Sequence, residues 1–163
     1  MRALELLPLT AVGFAPFGDV IDTAVACERY PINEGRTQRH HALSKLDCES
    51  QDGCTALSVF RATPVDNNFL LQGLERHPLS SQSFIPLSPY PYAVVVAPAG
   101  SLQEDAISGF LAQPGQSITY RKGTWHHYLL ALRAPSDFVV VDRVGPGENC
   151  DEQVLVEPLS LIL

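Results

Sequence analysis

The chain contains few basic residues and almost no lysine. Lys45 and Lys122 are its only lysines, and 11 basic residues stand against 18 acidic ones, which gives a net charge of −7. The arginines are scattered and form no basic stretch. Nucleic acids and anionic membrane surfaces attract clustered positive charge, so the composition argues against both as partners. A small anionic substrate is still compatible, because two or three arginines in a cavity bind one carboxylate.

Long apolar stretches are also missing. No run approaches the roughly 20 residues that span a bilayer. The apolar N-terminal residues are interrupted by Glu5 and Pro8, and no small-residue cleavage site follows them. The 163 residues are 45% hydrophobic and 18% charged, which suits one soluble globular domain. We therefore expect a single domain over residues 1–163, located in the cytoplasm.

Several sequence patterns of other protein classes are absent. The four cysteines form no Cys-x-x-Cys pair, which argues against a zinc knuckle and favours reduced, buried thiols. The chain has no glycine-rich phosphate loop, no alternation of strands and helices, and no internal repeat. These absences argue against nucleotide-binding α/β folds and against solenoids.

Short apolar segments separated by proline and glycine turns make up most of the chain. Strands are predicted over residues 4–9, 19–22, 55–62, 69–77, 82–87, 92–97, 117–120, 125–132 and 138–142, with an edge strand at 153–156. The four-residue turn 78–81 predicts a hairpin over residues 69–87. Residues 27–53 are the least regular part, with a turn at 33–35. The pattern predicts an all-β fold, a β-barrel or jelly roll with one or two short helices.

Two segments are predicted to be helical. Thr10 is positioned to cap a short helical turn over residues 11–15. A longer helix is predicted over residues 103–112, with Glu104 and Asp105 in its first turn. Its apolar residues recur at helical spacing, at Ile107, Phe110 and Leu111.

The residues that carry chemistry concentrate in two segments. Residues 121–127 hold the only tryptophan and two of the five histidines. Upstream, Glu75 and His77 lie two positions apart on a predicted strand, so they share one face and can chelate a divalent metal. His126 and His127 are adjacent and must face opposite ways on a regular strand, so only one of them can join the cluster.

The spacing of these residues resembles the two metal-binding motifs of cupin barrels. Residues 75–82 fit the first motif, with glutamate in the place of its first histidine and glutamine in the place of its glutamate. Residues 115–126 fit the second motif, with both glycines and the histidine in place and arginine where proline is usual. The match predicts the metal-facing set Glu75, His77, Gln82 and His126, with His127 outside that set or in a second layer around it.

Longer segments resemble the ureidoglycolate lyase family, once called ureidoglycolate hydrolase. They are PLTAVGFAPFGDVID at 8–22, FRATP at 60–64, LERHPLSSQSFIPL at 74–87, YAVVVAP at 92–98, ISGFLAQPGQSITYRKGTWHH at 107–127 and SDFVVVDRVGPGENCDE at 136–152. They span nearly the whole chain in order, which makes the resemblance specific. Four positions depart from the family pattern: His40 for an aromatic residue, Ala42 for Asp, Tyr128 for Pro and Val144 for Gly.

The family resemblance implies both a fold and a reaction. It implies a cupin-type barrel, a cytoplasmic homodimer and a divalent metal, often nickel. It also implies a C–N lyase that splits (S)-ureidoglycolate into glyoxylate and urea during allantoin breakdown, a part of purine catabolism. Tyr128 and Val144 flank the expected site, so these departures bear on rate or substrate preference.

Cleavage of ureidoglycolate requires a base for the hydroxyl, an acid for the leaving urea and a hold on the carboxylate. Glu75 is the candidate base, unless it binds the metal instead. The candidate acids are Tyr120, Lys122 and His127. The candidate substrate-binding residues are Arg61 and Arg143, which suit a carboxylate, together with Gln82.

Other interpretations stay open at this point. Glu75 with Arg76 also fits an exposed ion pair, and Asp142 with Arg143 fits a turn-closing pair. The pair at 40–41 fits a solvent-exposed loop or a dimer contact. The alternative functions are a ureidoglycolate amidohydrolase that releases ammonia, and a non-catalytic cupin that binds small 2-oxo or 2-hydroxy acids. The apolar residues 154–163 are a candidate dimer interface.

Overall fold

The computed structural model describes residues 2–162, which are mostly strand. About half of the chain is strand and 6% is helix, which confirms the all-β prediction. The strands are β1 Arg2–Pro8, β2 Gly18–Ile21, β3 Arg29–Ile32, β4 Thr37–His40, β5 Cys54–Ala62, β6 Leu70–Arg76, β7 Gln82–Pro86, β8 Tyr92–Ala97, β9 Ser108–Ala112, β10 Ser117–Tyr120, β11 Trp125–His126, β12 Leu130–Ala131, β13 Ser136–Val144 and β14 Asp151–Ile162. The helical parts are α1 Ala11–Phe14 and the 3-10 turns Ser50–Asp52 and Glu104–Ala106. Within residues 2–162, no helix is long and apolar enough to cross a membrane.

Six strands close into a barrel, which we call the ring. β11, β6, β14, β1, β9 and β8 pair in that order, and β11 also pairs with β8, so the circle is complete. β1 runs parallel to both of its neighbours, β14 and β9, whereas β6 and β14 are antiparallel. Closure leaves these six strands without the open edges that an isolated sheet would expose.

A second sheet packs against one side of the ring. Its five strands follow the order β2, β10, β7, β13 and β5, and β3 and β4 form a separate hairpin. β8 contributes to two hydrophobic cores, because its successive side chains point to opposite faces of the strand. Val94 and Val96 pack toward the five-stranded sheet, against Phe84 and Ile118, whereas Val95 belongs to the core inside the ring.

The predicted helix over 103–112 is wrong. After the 3-10 turn, these residues form β9, which is paired with β8 on one side and with β1 on the other. A strand that is buried on both faces carries a nearly continuous apolar run, and such a run contains helical spacings by coincidence. The short helix is confirmed, because the hydroxyl of Thr10 accepts a hydrogen bond from the N–H of Gly13.

The predicted hairpin over 69–87 is also wrong. β6 pairs with β11 and β14 in the ring, whereas β7 pairs with β10 and β13 in the second sheet. The turn at 78–81 therefore carries the chain from one sheet to the other. This crossing places Glu75, His77 and Gln82 at the junction of the two sheets.

The C-terminal segment differs from its prediction as well. The strand expected at 153–156 is part of the long β14, which lies inside the ring between β6 and β1 and not at an edge. Leu155 and Leu159 are buried in the core of the ring, while Val154 and Val156 are exposed. The last residue of the predicted dimer interface, Leu163, lies outside the described residues.

Candidate active site

Three potential metal ligands meet where the ring faces the second sheet. One ligand atom from each of Glu75, His77 and His126 lies within 4.8 Å of the other two. Glu75 in β6 and His126 in β11 are direct partners across an antiparallel pair, so their side chains emerge on the same face. His77 follows β6 immediately, and Gln82 begins β7. The structure thus brings together the four residues that the cupin spacing predicts to face a metal.

His126 carries an unused, buried lone pair. Its Nδ1–H donates to the backbone carbonyl of His127 at 3.3 Å, so Nε2 carries no proton. Nε2 is buried and has no hydrogen-bond partner among residues 2–162. Burial and the nearby His77 lower the pKa of His126 to about 3, which keeps the imidazole neutral at pH 7. A neutral imidazole with a free, buried lone pair is the form that binds a metal.

His77 and Gln82 face each other through two acceptor atoms. His77 Nδ1–H donates to the carbonyl of Asn149 at 2.7 Å, which leaves Nε2 as the atom 3.2 Å from Gln82 Oε1. Gln82 Nε2 donates to Asp142 Oδ2 at 3.3 Å, and this bond sets which end of the amide faces His77. Two lone pairs at this distance repel each other unless a positive centre lies beside them, either a proton on Nε2 or a bound cation.

The cluster therefore has the chemistry of a divalent metal site. Two imidazoles, one carboxylate and one amide oxygen form a mixed nitrogen and oxygen donor set, which suits first-row metals such as nickel, zinc or manganese. A cation would relieve the opposed acceptors of His77 and Gln82, and the buried lone pair of His126 is available to a cation as well. The donor set fits the metal that the resemblance implies.

Tyr120 forms one wall of the cluster. Its ring stacks on the imidazole of His126, with centroids 4.3 Å apart and planes inclined by 7°. Burial raises the pKa of the Tyr120 phenol well above its usual value, so the hydroxyl stays protonated. Tyr120 lies in β10 of the second sheet, so this stacking holds the ring and the second sheet together at the site.

His127 points away from His126, as the strand alternation predicts. Its ring meets Phe69 edge to face at 5.6 Å, and Nδ1–H donates to the carbonyl of Tyr128 at 3.1 Å. Burial lowers the pKa of His127 to about 4. At neutral pH His127 is therefore an uncharged acceptor through Nε2.

The remaining predicted site residues differ in their distance from the cluster. Arg143 is nearby, but its guanidinium donates to the backbone carbonyls of Ser50, Gln51 and Pro146. Lys122 donates to Ser50 Oγ at 2.6 Å and pairs with Asp47 at 2.9 Å, in a separate cavity that Ser81 and Thr119 also line.

Arg61 lines a further cavity, together with Phe69 and Tyr128. It is exposed on β5 and makes a two-pronged bond to Asp137, with distances of 2.7 and 2.8 Å. The structure therefore does not place Arg61 or Lys122 beside the predicted metal ligands.

Two openings reach the cluster from different sides. We call the first the groove: it has a volume of about 480 Å³ and is lined by Glu75, His127, Phe69, Tyr128 and Glu152. We call the second the cleft: it has a volume of about 290 Å³ and is lined by His77, Gln82, Asp142, Arg143, Glu148 and Asn149. Glu75 belongs to both the cluster and the groove.

Comparison with known proteins decides the family. A family model described as ureidoglycolate lyase matches residues 1–162. The chain belongs to the ureidoglycolate lyase family. Similar proteins named ureidoglycolate lyase include one from Burkholderia mallei, 49% identical over 161 residues, which cover 99% of this chain and 94% of that protein. A Burkholderia cepacia protein is 52% identical over 150 residues (91% of this chain, 84% of that protein), and one from Pseudomonas syringae is 43% identical over 164 residues (100% and 96%).

Several residues around this ureidoglycolate lyase-type cluster escaped the sequence analysis. Asp142 and Asn149 set the orientation of Gln82 and His77, and Asn149 also accepts from Leu79 N–H at 2.8 Å. Cys150, expected to be a buried thiol, is exposed and lies 3.8 Å from Glu75 Oε2. The one available signal was their position in the segment 136–152, which resembles the family without marking any residue as functional.

Proposed function

We propose that the chain splits (S)-ureidoglycolate into glyoxylate and urea, as a C–N lyase of allantoin and purine catabolism. The observation that carries this proposal is the relationship to ureidoglycolate lyases over nearly the whole chain. The cluster of Glu75, His77 and His126 at the sheet junction supports it, because the reaction needs charge stabilisation and proton transfer at one carbon.

The reaction moves one proton and breaks one bond. The substrate hydroxyl loses its proton, and the oxygen's electron pair becomes the second bond of the new aldehyde. The C–N bond breaks, and its electron pair leaves with the urea nitrogen, which takes up a proton. No water is consumed, so the chain must only bind the substrate, remove the hydroxyl proton and return a proton to nitrogen.

We propose that His77, His126, Gln82 and one oxygen of Glu75 hold a divalent ion, nickel by family resemblance. A bound divalent ion supplies a Lewis acid that lowers the pKa of the substrate hydroxyl. Tyr120 keeps the His126 ring in place through the stacking described above. Asn149 keeps the proton of His77 on Nδ1, so that Nε2 faces the site.

Glu75 is proposed to carry the proton from oxygen to nitrogen. Its Oε1 lies 3.8 Å from His126 Nδ1, and its Oε2 lies near Cys150, so the two oxygens have different surroundings. Glu75 also lines the groove, where a departing group has room. One carboxylate at both places can accept the hydroxyl proton and deliver it to the urea nitrogen.

The other candidate acids have different geometries. Lys122 is held by Asp47 and Ser50, and we propose that it stabilises that segment. Neutral His127 is proposed to accept an N–H of the ureido group. The charge of Arg143, in the cleft, is proposed to attract the substrate carboxylate, whereas Arg61 is exposed and paired with Asp137.

The decisive experiment is product analysis with metal-stripped protein that is resupplied with nickel, manganese or zinc. We expect equal amounts of urea and glyoxylate from ureidoglycolate, restored by metal, after correction for spontaneous decay. Ammonia in place of urea would contradict the lyase and establish the amidohydrolase. Tight binding of glyoxylate without turnover in any metal would make the chain a non-catalytic cupin.

We also propose that residues 1–163 act as one domain in a cytoplasmic homodimer. Apolar side chains exposed on the outside support an interface, namely Leu57 and Val59 on β5, and Val154 and Val156 on β14. Light scattering should give twice the mass of the chain, and a monomer at micromolar concentration would contradict it. Truncation of the chain after Glu152 would not test the interface, because it would remove most of β14, which completes the ring.

A further inference from the structure

The proposed substrate has two chemically different ends, and the cluster has two different openings. One end of ureidoglycolate is a carboxylate, which needs a positive environment. The other end is a flat ureido group, which carries three N–H donors and needs acceptors. If the reaction proposed above is correct, the charges in the groove and in the cleft decide which end lies where.

The groove is built from acceptors and contains no cation. Glu75 and Glu152 lie side by side in it, because they are direct partners in the pairing of β6 with β14. None of its lining residues is lysine or arginine. The carboxylates of Glu75 and Glu152 would repel a substrate carboxylate, whereas both can accept N–H groups.

His127 adds a buried acceptor on the opposite wall. Its side chain is only 6% exposed, and its Nδ1–H is committed to the carbonyl of Tyr128. The Nε2 atom therefore presents a lone pair as an acceptor. Because His127 lines the groove, this lone pair can accept an N–H of a molecule bound there.

The cleft, unlike the groove, contains a cation. Arg143 is only 9% exposed and its position is fixed by three backbone carbonyls, and the carboxylates of Asp142 and Glu148 also line the cleft. Arg143 is the one lysine or arginine among the residues that line the two openings, so its guanidinium is the group that would attract a substrate carboxylate. Glu75 lines the groove and His77 lines the cleft, and both belong to the same cluster, so the carbon that joins the two ends of the substrate would lie between them.

We infer that the groove binds the ureido arm of the substrate and the departing urea, with the substrate carboxylate directed toward Arg143 in the cleft. The orientation places the breaking C–N bond beside Glu75. It also gives the two products separate exits. The groove is much larger than one ureido group, so substituents on the distal nitrogen should be accepted, with Phe69 and Tyr128 as apolar contacts.

The first test measures binding at the histidines directly. Protein with isotope-labelled histidine rings is loaded with diamagnetic Zn²⁺ and titrated with urea and, separately, with glyoxylate. Urea is expected to shift the ring signals of His127, and glyoxylate those of His77. Urea that shifts His77 and leaves His127 unchanged would overturn the inference. The titration does not require turnover, so it tests the orientation of the substrate independently of the reaction. A wrong reaction would be shown instead by the absence of urea release in the product analysis.

The second test uses product inhibition and a matched pair of variants. Glu152→Ala removes an acceptor from the groove, and Glu148→Ala removes the same charge from the cleft. Glu152→Ala is expected to weaken inhibition by urea and by N-ethylurea on the order of tenfold, with inhibition by glyoxylate unchanged. Glu148→Ala should leave inhibition by urea unchanged. Equal effects of the two variants on urea, or rejection of N-ethylurea, would contradict the assignment of the groove.

Discussion

The candidate metal site depends on which atom of each residue carries a proton. Carbonyl groups of His127 and Asn149 accept the Nδ1 protons of His126 and His77, so both Nε2 atoms are left as bases. Backbone carbonyls cannot move far or change charge, which makes this protonation pattern a property of the fold. The fold thus holds these candidate ligands in the protonation state that metal binding requires.

The first prediction concerns the two histidines. His77→Ala combined with His126→Ala removes both imidazole ligands and should lower metal affinity and urea release by more than about 100-fold. Metal content of the dialysed protein and the rate of urea formation measure the two effects. His40→Ala, in β4, is the matched control and should bind metal normally. Full activity of the double variant would refute the metal site.

The second prediction concerns Asp142, which orients the amide of Gln82. Asp142→Leu removes the acceptor, so the amide can turn its NH₂ group toward His77, and affinity for Co²⁺ should fall by about 10–100-fold. Asp142→Asn keeps an acceptor oxygen and should retain most of the affinity. Titration followed by the visible absorption of bound Co²⁺ measures both variants. Equal affinities of the two variants would show that the orientation of Gln82 is set elsewhere.

At the scale of residues, the sequence predicted which candidate ligands lie together, but it did not predict the residues that orient them. Glu75 and His77 share a face through strand alternation, which requires only the spacing of two. Asp142 and Asn149 act from 60 and 72 positions away, across a junction of sheets that no local pattern encodes. Such second-layer contacts follow from the three-dimensional pairing of strands, and so the sequence analysis missed them.

At the scale of strands, β2 and β10 place the wall of the site. Gly18 lies opposite Tyr120 in the antiparallel pair, and a Cβ at Gly18 would overlap the backbone carbonyl of Thr119. The pairing therefore depends on the absence of a side chain there. Displacement of β10 would also move Tyr120 away from His126.

The third prediction follows from this close approach. Gly18→Ala should cost about 2–3 kcal/mol, because the backbone of β10 must move, which lowers Tm by roughly 5–10 °C. Gly35→Ala, at a turn with φ +82° and no neighbour within 4 Å, is the control and should cost about 1 kcal/mol. Calorimetric melting compares them. Equal losses would mean that the contact between β2 and β10 is not tight.

The strands themselves were largely predictable, but their partners were not. Alternation and turn residues located β5, β6, β7, β8 and β10 within one or two residues. The turn between β6 and β7 was predicted to close a hairpin, because turn residues indicate that the chain reverses direction. They do not indicate which strand pairs with which. β9 was predicted to be a helix because it is buried on both faces. It therefore lacks the polar positions that distinguish the spacing of a strand from the spacing of a helix.

At the scale of the whole molecule, the site lies between two units that a bound ion would join. Ligands come from β6 and β11 of the ring and from β7 of the second sheet. An ion that binds only the folded chain stabilises it by mass action, so the melting temperature should depend on metal concentration.

The fourth prediction is a thermal shift that requires the ligands. Nickel at about 100 times its dissociation constant should raise Tm by roughly 5 °C or more over the chelator-treated protein. The variant with His77→Ala and His126→Ala should show no such shift. A shift of equal size in that variant would mean that the stabilising ion binds elsewhere. Calorimetry in the presence and absence of nickel makes the comparison.

The parallel pairing of β1 with β14 has a consequence for synthesis in the cell. β1 is translated long before β14, and this partner is completed only when residue 162 has been translated. Until then β1 and β6 each lack a neighbour, and the ring cannot close. Nascent chains arrested before residue 151 should therefore be cut by protease within β1, whereas released chains should resist. Fewer cuts in the arrested chains than in released ones would show that another strand covers β1 during translation.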